Sequence, residues 1–180
     1  MKRGWKLLRK KIILAKPNLF FESWLYRNAL GEKTDIIIKR GTGFSVIIPI
    51  TTDRKIIVIK QFHYNLAKFA YTLPAGFSEP AETPLANAKR ELLEETGFRA
   101  KKFLSLGTTV NGKYATGLAH FFIAFGCIKK QLQMLDKSED ISVELVSPSR
   151  FRHLVESGAI KDAFIELAAR RALNYLAKIE

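Results

Sequence analysis

Apolar and polar residues change rhythm along this chain. Up to about residue 75 the apolar positions come in short runs at 19–26, 34–39, 44–50 and 55–62. β-Branched and aromatic residues fill these runs, which predicts strands. The segment 28–33, with Gly31, reads as a hairpin turn, and 51–54 as a polar turn. The unbroken runs at 44–50 and 55–62 predict strands buried on both faces. Two readings stand at the N-terminal end. Trp5, Leu8 and Ile12 fall at i, i+3 and i+7, which suits a short amphipathic helix, and 11–14 equally suits a strand.

Beyond Leu73-Pro74-Ala75-Gly76 the period lengthens. Leu85, Ala88 and Leu92 form a stripe at helical spacing. Thr83 suits the N-cap, Pro84 the first helical position and Gly97 the position after the end. The spacing therefore predicts a helix over 84–96. Strands are expected at 99–106, 118–128 and 141–146. Ser147-Pro148 opens a helix ending near Gly158, and Asp162 opens a last amphipathic helix running to about Ala177. With no repeats or linkers, this mixture predicts a single α/β chain.

At 180 residues, 47% hydrophobic and 26% charged, the chain has material for a sizeable core and is neither disordered nor fibrous. Its one cysteine, Cys127, excludes an internal disulfide and a cysteine zinc site, and reads as a buried small hydrophobe. No apolar run approaches the ~20 residues of a membrane helix. Met1-Lys2-Arg3 is basic, but the apolar 12–15 is too short for a signal peptide and is closed by Lys16-Pro17. A cytoplasmic protein with no membrane partner is expected. Charge is uneven. Lys2, Arg3, Lys6, Arg9, Lys10, Lys11 and Lys16 stand in the first 16 residues without an acid, leaving +6 of the net +13 for the rest. Such an arm attracts anions or simply solubilises.

The candidate chemistry lies in 76–98. Glu91 and Glu95 are i, i+4 on one helical face, with Glu94 one position round. Like charges at this spacing destabilise a helix. A hard divalent cation removes the repulsion, and Mg²⁺ takes oxygen ligands together with substrate phosphates. From Glu79 to Glu95 five acids face only Lys89 and Arg90. An anionic diphosphate binds such a pocket only with cations present. Glu94 alone has a plainer reading, a pair with Arg90 at i, i+4.

Gly76, Glu82, Arg90, Glu91, Leu92, Glu94, Glu95, Gly97 and Phe98 spell G-x5-E-x7-R-E-U-x-E-E-x-G-U, where U is bulky and apolar. Seven fixed positions at ~6% usage each, with two apolar ones, arise by chance on the order of once in ten million chains of this length. This is the pattern of the Nudix hydrolases, which the chain resembles. Leu73-Pro74-Ala75 before the glycine, Lys60-Gln61-Phe62, Glu139-Asp140-Ile141 and 158–163 resemble segments of the ADP-ribose pyrophosphatase branch.

The resemblance implies an α/β Nudix fold, a mixed sheet between helices. It implies an N-terminal strand extension over 1–43, a dimerisation element in this branch, followed by a hydrolase domain over 44–180. The implied metal ligands are the Ala75 carbonyl, Glu91, Glu95 and the nearby Glu94. The ion is Mg²⁺, with Mn²⁺ as the alternative. Glu139 is the candidate base, with Asp140 or Glu94 as alternatives, and Arg90 orients a glutamate. Lys60, Gln61, Gly76, Asn111 and Tyr114 are the implied substrate contacts. The implied reaction splits a nucleoside diphosphate sugar into a nucleoside monophosphate and a sugar phosphate. The implied partners are that nucleotide sugar and a second copy of the chain in a homodimer; nucleic acid is the less favoured partner. Thr72, His63 and the proline-free 109–113 depart from the branch at positions that shape the substrate pocket. His63 suits a structural place at a strand end. The alternatives are a Nudix enzyme acting on RNA 5′ ends or dinucleoside polyphosphates, and a non-catalytic nucleotide sensor.

Overall fold

The computed structural model describes residues 4–16 and 19–179. Lys2 and Arg3 of the basic arm, and Pro17, lie outside the described residues. The chain divides into two compact units, residues 1–43 with 109–118, and residues 44–108 with 119–180.

The smaller unit is an antiparallel sheet in the order β1 (Lys6–Lys16), β2 (Leu19–Arg27), β3 (Lys33–Arg40). The N-terminal segment is thus a strand. Its helix-like spacing comes from register shifts between Leu7 and Arg9 and between Ile12 and Leu14, each of which interrupts the two-residue alternation. The turn to β3 is held by Asn28, whose Oδ1 accepts from the amides of Leu30 and Glu32 at 2.9 and 3.0 Å. Gly31 there takes φ +87°, a conformation open to glycine. The edge of β3 is covered by 109–118. Lys39 N–H donates to the Tyr114 carbonyl, and Thr116 N–H to the Lys39 carbonyl, each at 2.9 Å.

The larger unit is built on a mixed sheet. Its strands are β4 (Phe44–Thr51), β5 (Ile56–His63), β6 (Lys68–Thr72), β7 (Ala75–Phe77), β8 (Phe98–Arg99), β9 (Lys102–Val110), β10 (Leu118–Lys129) and β11 (Ile141–Val146). The main order is β11-β5-β4-β10-β8, with β6 on β5, β7 on β4 and β9 on β10. The β4–β10 pair is parallel, while β5 with β11 is antiparallel. Three helices complete it: α1 (Pro84–Thr96), α2 (Pro148–Glu156) and α3 (Ala163–Leu176).

Strand alternation sorts the core into two layers. Val46, Ile48, Ile56, Val58, Phe121 and Ile123 pack with Phe151 and Val155 of α2 and Ile165 and Ala169 of α3. Their neighbours Ile47, Ile57, Phe122 and Ala124 pack with Ala88 and Leu92 of α1. The central strands are therefore covered on both faces, as their unbroken apolar runs predict. The sheet lies between α1 and the α2–α3 pair, the α/β/α arrangement expected. Cys127 is buried in the α1 layer, and burial pushes its thiol up to about 12.

Candidate active site

The site starts from two anchors on β4. The short β7 pairs with it, Ser45 opposite Gly76 and Val46 opposite Ala75. Ile47 N–H donates to the Pro74 carbonyl at 2.9 Å, and Ser45 Oγ to the Pro84 carbonyl at 2.9 Å. The chain before α1 and the first turn of α1 are thus pinned to one strand. Both ends of α1 form as their sequence predicts. Thr83 Oγ accepts from Ala86 N–H at 3.2 Å, and Gly97, at φ +76°, donates its N–H to the Leu93 carbonyl at 2.8 Å.

The buried stripe of α1 is partly polar: Asn87, Ala88, Glu91, Leu92, Glu95 and Thr96. Glu91 is 7% exposed and Glu95 3%. The Glu95 Oε2 accepts from Ala75 N–H at 2.9 Å, and the Glu91 Oε1 from Asn87 Nδ2 at 3.3 Å. The Glu91 carboxylate occupies the space a Cβ at position 76 would need, so a side chain there would displace the end of Glu91.

Arg90 organises the solvent side. Its Nε and Nη2 grip the Glu82 carboxylate, each at 3.1 Å. Its Nη1 lies 2.9 Å from Glu94 and 2.8 Å from Glu91, and Nη2 also donates to the Phe77 carbonyl at 3.0 Å. Arg90 thus pairs with Glu94, as the i, i+4 spacing suggests, and contacts Glu82 and Glu91 as well. The guanidinium holds the Glu82 carboxyl below its ordinary range.

One guanidinium does not balance this cluster. Burial pushes Glu91 up to about 7 against the pull of Arg90, and the charges of Glu94 and Glu139 push the same way. Glu95 is raised well above the carboxylate range, first by burial, then by the Glu91 charge. Two buried oxygen donors whose negative charge is undercompensated suit a hard divalent cation. Among the described residues no three His, Cys, Asp or Glu side chains already stand together as a ligand set. Arg90 draws Glu94 towards itself, and Ala75 offers backbone rather than side chain.

Glu139 lies in the loop before β11, close enough for its charge to act on both Glu91 and Glu95. Its carboxylate accepts from Asp136 N–H at 2.9 Å. Asp140 is exposed, and its carbonyl accepts from Phe62 N–H at 3.3 Å. Lys60 on β5 is engaged, 2.8 Å from Glu144 and 4.7 Å over the Tyr71 ring, with Tyr71 Oη donating to Glu144 at 3.1 Å. Gln61 follows it, half-buried. His63 ends β5, its Nε2 buried without a hydrogen-bond partner. Asn111 and Tyr114 belong to the smaller unit. Sequence reasoning missed Asn87, Tyr71 and Glu144. The first had a signal, since it stands four residues before Glu91 on the same helical stripe.

A family model described as NUDIX domain matches residues 39–167. The ADP-ribose pyrophosphatase of Bacillus subtilis (strain 168) is 31% identical over 148 residues, covering 81% of this chain and 79% of that protein. The methanol dehydrogenase activator of Bacillus methanolicus is 30% identical over 131 residues, covering 70% of each. A crystal structure of an ADP compounds hydrolase superposes with a TM-score of 0.85 at 19% identity, covering 98% of this chain and 96% of the other.

Proposed function

The chain belongs to the Nudix family of pyrophosphohydrolases, and on that premise we propose that it hydrolyses the diphosphate bond of a nucleoside diphosphate sugar, ADP-ribose or a close relative. The products are a nucleoside monophosphate and a sugar phosphate. The observation that carries this reading is the pair of buried, undercompensated carboxylates, Glu91 and Glu95, on a helix anchored at both ends. The 31% identity to an ADP-ribose pyrophosphatase across most of both chains supports the substrate class.

Glu91, Glu95 and the Ala75 carbonyl would hold Mg²⁺ or Mn²⁺, with Glu94 joining once it leaves Arg90. A divalent cation supplies neutralisation of the diphosphate and makes water a better nucleophile at neutral pH. The protein's own residues do the rest. Arg90 fixes the helix glutamates, and Gly76 lets the chain before α1 pass close to Glu91. Glu139 takes the proton of the attacking water as the bond to phosphorus forms. Lys60, Gln61 and Gly76 are substrate contacts in the larger unit. Lys60 reaches a phosphate by exchanging its pair with Glu144. Asn111 and Tyr114 are substrate contacts proposed from the resemblance alone. We assign the protein to the cytoplasm. We also assign it to a homodimer, supported by the exposed apolar residues of the β1–β3 sheet, among them Leu7 at 37% and Ile12 at 58% exposure.

The test is a substrate panel with Mg²⁺: ADP-ribose, ADP-glucose, GDP-mannose, UDP-glucose, a dinucleoside polyphosphate and 5′-triphosphorylated RNA. Phosphate released by added phosphatase is the readout. Turnover concentrated on the sugar nucleotides is expected. Turnover of the dinucleotide or RNA alone would overturn the sugar assignment.

A further inference from the structure

The register of the β1–β3 sheet sorts its side chains by kind. Residues directly opposite in antiparallel strands share a face, and neighbours along a strand do not. Lys6 is opposite Arg27, Arg9 opposite Leu25, Lys11 opposite Ser23 and Lys16 opposite Leu19. Arg27 is opposite Lys33, and Phe21 opposite Lys39. One face therefore carries four cations along β1, two along β3 and Arg27 at the end of the strand between them. All of them are exposed, and among the described residues none is in an ion pair. The single acid on that face is Asp35, whose Oδ1 accepts from Ser23 Oγ at 2.6 Å.

The other face is different in kind. Leu7, Ile12, Trp24, Tyr26, Ile36 and Ile38 lie there. Its two cations are engaged, Lys10 over the Trp24 ring at 4.0 Å and Arg40 with Glu22 at 3.7 Å.

From this juxtaposition we infer that the basic face is a docking surface for single-stranded nucleic acid. The cations form two rails on the outer strands, about 10 Å apart from the strand spacing. Between them β2 offers Leu19, Phe21 and Leu25 as an apolar strip. A single strand can lay its bases along that strip while its phosphates meet the rails. A duplex leaves the apolar strip unused. Phe21 and Leu25 are half-buried between the rails, and Leu14 and Ile37 share the face on the outer strands, Ile37 at 52% exposure. The inference rests on the sheet register and is independent of the hydrolase reading.

The experiment is fluorescence anisotropy of a 5′-labelled 20-residue oligouridylate titrated with the full chain at several KCl concentrations. Neutralising four to seven phosphates predicts a slope of log affinity on log salt of about −3 to −5. The triple variant Arg9→Glu, Lys11→Glu, Lys39→Glu is expected to bind at least tenfold more weakly at equal salt. The triple variant Lys55→Glu, Lys130→Glu, Arg152→Glu makes the same change in net charge on the larger unit and is expected to stay within about twofold. Should the first variant misfold by its thermal transition, Arg9→Gln, Lys11→Gln, Lys39→Gln replaces it, with the same direction expected. Equal losses in the two sets, wild-type affinity in the face variant, or binding to phosphatidylserine vesicles without binding to the oligonucleotide would each overturn the proposal.

Discussion

In the larger unit Glu91 and Glu95 sit on the buried stripe of α1; in the smaller unit four cations of β1 and two of β3 stand exposed along one sheet face. Both arrangements concentrate like charge, by opposite routes. The helix period of 3.6 sets two carboxylates on one stripe, and packing removes them from water. The strand period of 2 sets cations on one face and leaves them hydrated. Burial makes a few charges strongly dependent on what binds beside them, whereas exposure makes many charges weakly dependent on anything in particular. A helix stripe in a core can therefore define a point of chemistry, and a sheet face in water can define only a surface.

The sharpest way to break this contrast is Glu95→Gln. It keeps an acceptor for Ala75 N–H and removes the buried charge. Hydrolysis with Mg²⁺ is expected to fall at least about 100-fold, by the scale of altered metal-site residues. The thermal midpoint of the metal-free protein is expected to hold or rise, because an undercompensated buried charge is gone. A large fall in that midpoint would show that Glu95 stabilises the fold. Gly76→Ala comes next. Its Cβ meets the Glu91 carboxylate, so a stability loss of about 1–3 kcal/mol is expected, with reduced turnover. Denaturant unfolding of the two proteins measures it.

A graded effect follows from pH. Glu91, raised from 4.5 to about 7, and Glu95 bind protons more tightly folded than unfolded. The Glu91 contribution to stability is then present below about pH 4.5 and is lost as pH rises through about 7, and Glu95 acts in the same direction. The melting temperature of the metal-free protein should decline across that interval, and added Mg²⁺ should reverse the decline. A midpoint that climbs from pH 5 to 7 without metal would contradict the assigned direction. The smallest effect is in the other unit. Lys10→Ala removes a cation from above the Trp24 ring and should cost about 0.5–1 kcal/mol or less, with turnover unchanged.

The outline of the fold was legible where local chemistry decides it. The bounds of α1 follow from Thr83, Pro84 and Gly97, and the unbroken apolar runs of β4 and β5 follow from layers on both faces. It was not legible where distant partners decide. The strands β6 and β7 are short, and each exists because β5 or β4 supplies an edge. The expected strand over 99–106 is two strands, β8 and β9, with the break at Ala100 and Lys101. The bulges of β1 made a strand look helical. In the site, helical spacing revealed Glu91 and Glu95. It left unseen the attachment of Lys60 to Glu144 and Tyr71, which comes from the pairing of β5 with β11 and β6.

The parallel pairing of β4 with β10 has a consequence for the order of folding. Phe44 meets Ala119 and Ile48 meets Ile123, and the whole of α1 with its flanking strands lies in the chain between them. Closing that loop costs entropy before any pairing repays it, which makes it a slow step. The α1 segment is local and capped at both ends, so it can form while its glutamates are still hydrated. Those carboxylates lose water only when the central strands meet and α1 docks. The late stage of folding then carries the electrostatic penalty of the site, and a divalent cation in the refolding buffer should act on that stage rather than on the early one.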